Sequence, residues 1–224
     1  MVTGFLAPLM IVSASVKGGR WSRRLVRLWG RTMLRVIGVR LAIEPACAAE
    51  LALQRCRVMT FNHASTMDMF VMTALWPPGG VAIVKQEMMK IPVMGHAMRV
   101  LDFIPIDRSR RDESARSLGD VADRVRAGNL TVLVAPEGTR SPDGELQAFK
   151  LGPFHIAAKA QVPVVGIVII GAARLWPLGQ LHCNPGTVTI RVFPCEIPST
   201  ADVHTQASSL HASYEAILAA HRPS

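Results

Sequence analysis

The order of its apolar runs constrains this chain more than any other feature. Short β-branched or apolar stretches at residues 39–43, 57–61, 81–85, 103–106, 130–135, 162–170 and 187–193 alternate with segments of helical spacing at 66–75, 87–100, 112–126, 152–160 and 205–220. Alternation of this kind predicts an α/β fold, a mainly parallel sheet flanked by helices. Turn signals fall between the elements, at Pro77-Pro78-Gly79-Gly80, Gly128-Asn129, Pro142-Asp143-Gly144 and Asn184-Pro185-Gly186. The 224 residues suffice for one α/β domain, assigned to 41–224, preceded by an arm at 1–40.

Charge is distributed unevenly. The net charge of +9 invites a nucleic-acid reading, yet eight of the 25 cations (Lys17, Arg20, Arg23, Arg24, Arg27, Arg31, Arg35, Arg40) lie in residues 1–43 with no acid among them, leaving 17 cations against 16 acids. The body is nearly neutral and lacks basic residues interleaved with stacking aromatics, so no nucleic-acid partner is expected. Residues 5–12 form an apolar run too short for a comfortable span, which takes about 20 residues. No basic region precedes it, and the cations that follow oppose export. A shallow or re-entrant anchor with its basic side in the cytoplasm is expected. In residues 20–39, Trp21, Leu25, Leu28, Trp29, Met33, Val36 and Ile37 recur at spacings of three and four, with arginines on much of the complementary surface. The pattern fits a helix in the headgroup plane of a membrane carrying anionic lipid; the competing reading packs its apolar residues on the domain. Cys47, Cys56, Cys183 and Cys195 are scattered, so reduced thiols are expected and no metal site.

In open α/β sheets, sites collect where strands end and helices begin, and three polar clusters meet that condition. Residues 58–61 run into Asn62-His63, with Asp68 five residues past the histidine. A helix starting near Ser65 would put Asp68 in its first turn, where the carboxylate could fix one imidazole nitrogen and leave the other free to take a proton; Ser65 or Thr66 would be its N-cap. That spacing alone suits a capping or core histidine as well as a base. The run 130–135 ends in Pro136-Glu137-Gly138-Thr139-Arg140-Ser141, where Gly138 permits positive φ and Arg140 offers a fork for phosphate. The run 103–106 ends in Asp107-Arg108-Ser109. Arginines converging from neighbouring strand ends would hold a phosphomonoester, whereas each alone would be a solvated surface residue.

Taken as an ordered set, Asn62-His63-x4-Asp68, Phe103-x-x-Ile106-Asp107-Arg108, Pro136-Glu137-Gly138-Thr139-Arg140-Ser141 and Val162-Pro163-Val164-Val165 resemble the glycerolipid acyltransferases, a family that includes 1-acyl-sn-glycerol-3-phosphate acyltransferase. Lys85-x-Glu87 with Pro92 and Gly95, and Phe149-Lys150-x-Gly152, also look right, and the likeness covers residues 40–195. The resemblance implies an N-terminal helical membrane-docking arm on an α/β domain, with acyl-CoA or acyl-carrier-protein as donor and no other cofactor. It implies His63 and Asp68 as catalytic residues and Arg108, Glu137, Gly138, Thr139, Arg140 and Lys150 as substrate-binding residues. The expected reaction passes a fatty acyl group to the sn-2 hydroxyl of a lysophospholipid, 1-acyl-glycerol-3-phosphate, at the cytoplasmic face of the inner membrane. Alternatives are another lyso-lipid acceptor, such as a lyso-ornithine lipid, or a non-catalytic membrane-binding protein of the same fold. A serine-hydrolase route is disfavoured by the lack of a Gly-x-Ser-x-Gly elbow.

Overall fold

The computed structural model describes residues 20–92, 94–107, 111–128, 130–195 and 202–221, and, within these, not the side chains of residues 20–22 and 111–116. In chain order the elements are α1 (Arg20–Val36), β1 (Val39–Ile43), α2 (Pro45–Ala52), β2 (Arg57–Phe61), α3 (Asp68–Ala74), β3 (Gly80–Lys85), a 3₁₀ turn (Gln86–Lys90), α4 (Met94–Val100), β4 (Ile104–Ile106), α5 (Arg111–Gly128), β5 (Thr131–Val134), α6 (Gly152–Ala160), β6 (Val164–Ile170), α7 (Ala172–Leu175), β7 (Gly186–Pro194) and α8 (Val203–Ala219). The seven strands form one sheet in the order β1-β7-β6-β2-β5-β3-β4. Every pairing is parallel except β6 with β7.

The central strands β2, β5 and β6 are buried on both faces, which is why their sequence reads as continuous apolar runs and not as alternation. Successive residues nonetheless serve opposite cores. Met59, Leu133 and Val165 point to the layer of α1 and α3, while Val58, Val132 and Val164 point to the layer of α5, α6 and α8. Each such fully buried aliphatic contributes roughly 1.5–3 kcal/mol.

Helix α1 is part of the first layer. Val26, Met33 and Leu34 are buried in the same cluster as β2 and β6, and Trp29 packs on Phe70 of α3 with ring centroids 5.3 Å apart. The crossing is close at Gly30, where a Cβ would fall 2.4 Å from the Ala74 backbone nitrogen. Leu28 and Val36 face outward, 54% and 57% exposed. The apolar stripe read from the sequence therefore divides, its larger part covering the sheet. The side chain of Trp21 and residues 1–19, including the apolar run 5–12, lie outside the described residues.

The expected elements are all present, with differences at their ends. The segment 87–100 divides into the 3₁₀ turn and α4, and α2 and α7 are additional. Helix α3 begins at Asp68 instead of Ser65, and neither Ser65 nor Thr66 is its N-cap. Ser65 does start the preceding turn, its Oγ accepting from Met67 N–H at 3.1 Å.

Candidate active site

Strands β2, β5, β3 and β4 run in the same direction, so their C-terminal ends line up along one side of the molecule. His63 follows β2 there, on the loop into α3. Its Nδ1 lies 2.9 Å from Asp68 Oδ2, and that same oxygen accepts from the backbone N–H groups of Ala64 at 2.9 Å and Ser65 at 2.8 Å. The loop thus folds around the carboxylate at the N-terminus of α3, where a negative charge is also favoured by the helix dipole. Asp68 is buried, whereas the His63 side chain keeps 27% of its surface open. Fixing Nδ1 as the donor leaves Nε2 as the acceptor.

The turn after β5 meets this loop from the side. Glu137 is buried and engaged at both oxygens: Oε1 accepts from His63 N–H at 2.6 Å and Oε2 from Gln147 N–H at 3.0 Å. Ser141 N–H donates to His63 O at 2.8 Å, so the histidine backbone is held on both sides. Burial raises the Glu137 carboxyl above its ordinary range, with the two backbone donors opposing the shift. Gly138 has φ +76°, and Lys150 lies directly over it, its Cδ 3.0 Å from where a Cβ would stand. Thr139 and Arg140 are exposed on the rim, and Arg140 Nη1 donates to Thr66 Oγ1 at 3.1 Å.

From His63 an apolar cleft of about 320 Å³ runs back along α3, past Met69, Met72 and Thr73 to Trp76. Leu133 and Ala135 line it from β5 and Ala82, Ile83 and Val84 from β3, with Lys85 and Arg140 among its polar lining residues. Trp76 and Phe103, stacked with nearly parallel rings and centroids 5.2 Å apart, also line the cleft, toward the N-terminal ends of the strands. Methionines supply Met69, Met72, Met88 and Met98 of this lining, a surface that can repack around a flexible ligand.

The structure brings His63, Asp68, Glu137, Gly138, Thr139, Arg140 and Lys150 into one neighbourhood. Arg108 lies outside the described residues. The strand leading to it, β4, does not neighbour β5 as the sequence reading supposed, because β3 stands between them. The cation that β3 brings to its C-terminal end is Lys85, paired with Glu87 at 3.4 Å. Among the described residues no group of three or more His, Cys, Asp or Glu side chains is placed to hold a metal ion.

The acyltransferase family model matches residues 49–170, which contain this whole constellation. The chain belongs to the acyltransferase family. A coconut (Cocos nucifera) relative named 1-acyl-sn-glycerol-3-phosphate acyltransferase is 34% identical over 164 residues, 73% of this chain and 52% of that protein. The human 1-acyl-sn-glycerol-3-phosphate acyltransferase alpha is 30% identical over 191 residues, 85% of this chain and 67% of that protein. The chain spans about half the length of the plant relatives it matches. Its fold is similar to the crystal structure of the 1-acyl-sn-glycerophosphate acyltransferase PlsC from Thermotoga maritima, with a TM-score of 0.79 over 98% of this chain and 90% of that one, at 21% identity.

In this acyltransferase-family chain two polar residues behind the histidine complete its support. Asn62 spans to β6, accepting from Ile169 N–H at 2.7 Å and donating to Ile169 O at 3.0 Å. Tyr214 of α8, fully buried, donates to Thr60 O at 2.9 Å and accepts from Ile167 N–H at 3.0 Å. Both therefore tie β2 to β6 at the strand end from which His63 emerges. Tyr214 stands 154 positions from Thr60 in the chain, and no local pattern marks it; only its lone occurrence as the sole tyrosine could have drawn notice.

Proposed function

We propose that this protein transfers a fatty acyl group from a thioester donor, acyl-CoA or acyl-carrier-protein, to the sn-2 hydroxyl of 1-acyl-glycerol-3-phosphate, giving phosphatidic acid. The observation that carries this reading is the His63–Asp68 pair at the mouth of an apolar cleft, with Arg140 and Lys85 among the cleft's lining. The names of the relatives support the acceptor. His63 Nε2 takes the proton of the acceptor hydroxyl as its oxygen bonds to the thioester carbonyl carbon, and Asp68 stabilises the imidazolium that results. The backbone N–H groups of Thr139 and Arg140 bond to no acceptor among the described residues, and they would serve as donors to the oxyanion. Collapse of the tetrahedral intermediate breaks the carbon–sulfur bond, and the departing thiolate takes the proton back from His63. No serine nucleophile is needed. Ser65, beside the histidine, donates its hydroxyl to Trp176 O at 2.6 Å.

In this reading the cleft along α3 holds an acyl chain, and Arg140, Lys85, Lys150 and Arg108 serve the acceptor phosphate. The site works at the cytoplasmic face of the inner membrane, with the basic N-terminal segment against anionic lipid. Among the described residues no helix is long and apolar enough to cross a membrane, and the exposed Leu28 and Val36 of α1 suit contact with a lipid surface.

The test offers a panel of lyso-lipids with both donor types and identifies products by mass spectrometry. Phosphatidic acid is expected from lysophosphatidic acid, and His63→Ala is expected to lower the rate by about 10²–10⁴-fold with an unchanged melting profile. Full activity in that variant would refute the mechanism, and product from a different lyso-lipid alone would refute the acceptor.

A further inference from the structure

The last turns of α1 and the edge strand β1 enclose a second concavity, of about 500 Å³, bordered by Arg31, Arg35 and Arg40 over an apolar lining that includes Leu34, Leu41 and Leu75. It is separate from the catalytic cleft. Helix α3 divides the two, contributing its first residue, Asp68, to the cleft and its last, Ala74, to this groove.

Three features of the groove point to an anionic, amphiphilic occupant. Arg31, Arg35 and Arg40 meet no carboxylate and no hydrogen-bond acceptor among the described residues, and residues 1–43 contain no acid that could supply one. The cations also crowd one another: Arg27, one turn before Arg31, is held below its ordinary range first by burial and then by Arg31, Arg24 and Arg23. Among the described residues strand β1 pairs with β7 alone, and no strand lies on its other edge. The lining is apolar below and cationic at the rim, which matches the glycerol and phosphate of a lipid headgroup better than a bare anion. On the same helix Leu28 and Val36 are exposed, so a lipid surface that reached the groove would cover them too.

We propose that this groove binds the headgroup of an anionic membrane phospholipid, with Arg31, Arg35 and Arg40 around its phosphate. The proposal rests on the reading that the protein works at a membrane, and it adds a fixed lipid site outside the catalytic cleft. Such a site would hold the C-terminal end of α1 at the headgroup plane and so set the height of His63 above the acyl chains.

The experiment measures sedimentation of the full chain with vesicles of phosphatidylcholine alone and of equal parts phosphatidylcholine and phosphatidylglycerol. Combined Arg31→Gln, Arg35→Gln and Arg40→Gln is expected to weaken partition onto the mixed vesicles by about 100-fold. A control that removes the same charge from the opposite layer, Arg124→Gln, Arg126→Gln and Lys159→Gln, is expected to change it less than about threefold. The matching three Arg→Lys changes should retain most of the binding, and thermal melting verifies that all variants fold. An equal loss in groove and control variants, no loss in the groove variant, or release of the protein from mixed vesicles by millimolar inorganic phosphate would each overturn the lipid site. If the unaltered chain bound neither vesicle, the membrane reading would fall with it; binding by the unaltered chain that the groove variant kept would remove the groove alone.

Discussion

Asp68 Oδ2 receives three donors, His63 Nδ1–H and the N–H groups of Ala64 and Ser65, so the spacing of His63 and Asp68 is a consequence of how tightly the loop wraps one oxygen. Glu137 plays a part that the sequence did not reveal. The family resemblance implies a substrate-binding role for it, and both its oxygens accept from backbone donors, His63 N–H and Gln147 N–H. Glu137→Gln keeps the shape but turns one acceptor into a donor facing a backbone N–H. It is expected to lower kcat by about 10–100-fold, through displacement of His63, while the acceptor KM stays within about threefold. A rise in acceptor KM alone would mean that the carboxylate acts on the acceptor. A pH dependence follows from the burial that raises the Glu137 carboxyl. A carboxyl that holds its proton more tightly folded than unfolded contributes stability below the ordinary glutamate range, and that contribution is lost as pH rises toward the higher folded value. Relative to Glu137→Gln, which has no such proton, the Tm of the unaltered protein is expected to decline as pH rises from the ordinary glutamate range toward the raised folded value. A constant difference across that range would show that the group is not perturbed.

At the level of elements, the strands were legible because β2, β5 and β6 are apolar on both faces and bounded by Gly, Pro and Asn, and their burial confirms the reason. Helix α2 escaped notice because its sequence, PACAAELA, carries no amphipathic period. Its C-terminal end is secured by Arg57, buried in β2, which donates to the carbonyls of Glu50, Leu51 and Leu53 and to the Glu50 carboxylate. An arginine opening an apolar strand gives no hint of that partner set. The antiparallel β7 was equally hidden, since strand direction depends on a connection and not on composition. Helix α3 joins fold to chemistry: it starts on the catalytic carboxylate and its Met69, Met72 and Thr73 go on to wall the cleft, with Trp76 just beyond its end. If that cleft holds an acyl chain, a larger side chain at Ala82 of β3, one of its lining residues, would shorten the space for it. Ala82→Leu is expected to reduce kcat/KM for long-chain donors by about tenfold or more while sparing short ones. Equal losses across a ladder of donor chain lengths would assign the cleft another ligand.

At the scale of the whole molecule, the question raised by the N-terminal arginines is whether they belong to an arm or to the domain. The charge asymmetry was plain in the sequence, and so was the 3-4 spacing of apolar residues, but spacing cannot tell a membrane from a core, because both select an apolar stripe. Packing resolves this for the described part of α1. Val26, Met33 and Leu34 are buried in the first core layer, and Gly30 lets the helix approach α3 too closely for any side chain. A boundary at residue 40 would cut through that layer, so a chain beginning at residue 41 should expose the α3 surface and lose its cooperative melting transition, whereas one beginning at residue 20 should keep it. The same logic separates the two faces of the helix by point changes. Val26→Asp places an unpaired charge in the core and is expected to cost several kcal/mol, enough to unfold a domain of ordinary stability. Leu28→Asp with Val36→Asp, on the exposed face, is expected to change stability by no more than about 1 kcal/mol while lowering recovery on anionic vesicles. Melting curves and vesicle sedimentation of the same two variants decide the matter. Loss of vesicle binding in the folded surface variant would assign the outer face of α1 to lipid, and undiminished binding there would leave attachment to the arginine groove between α1 and β1 and to residues 1–19.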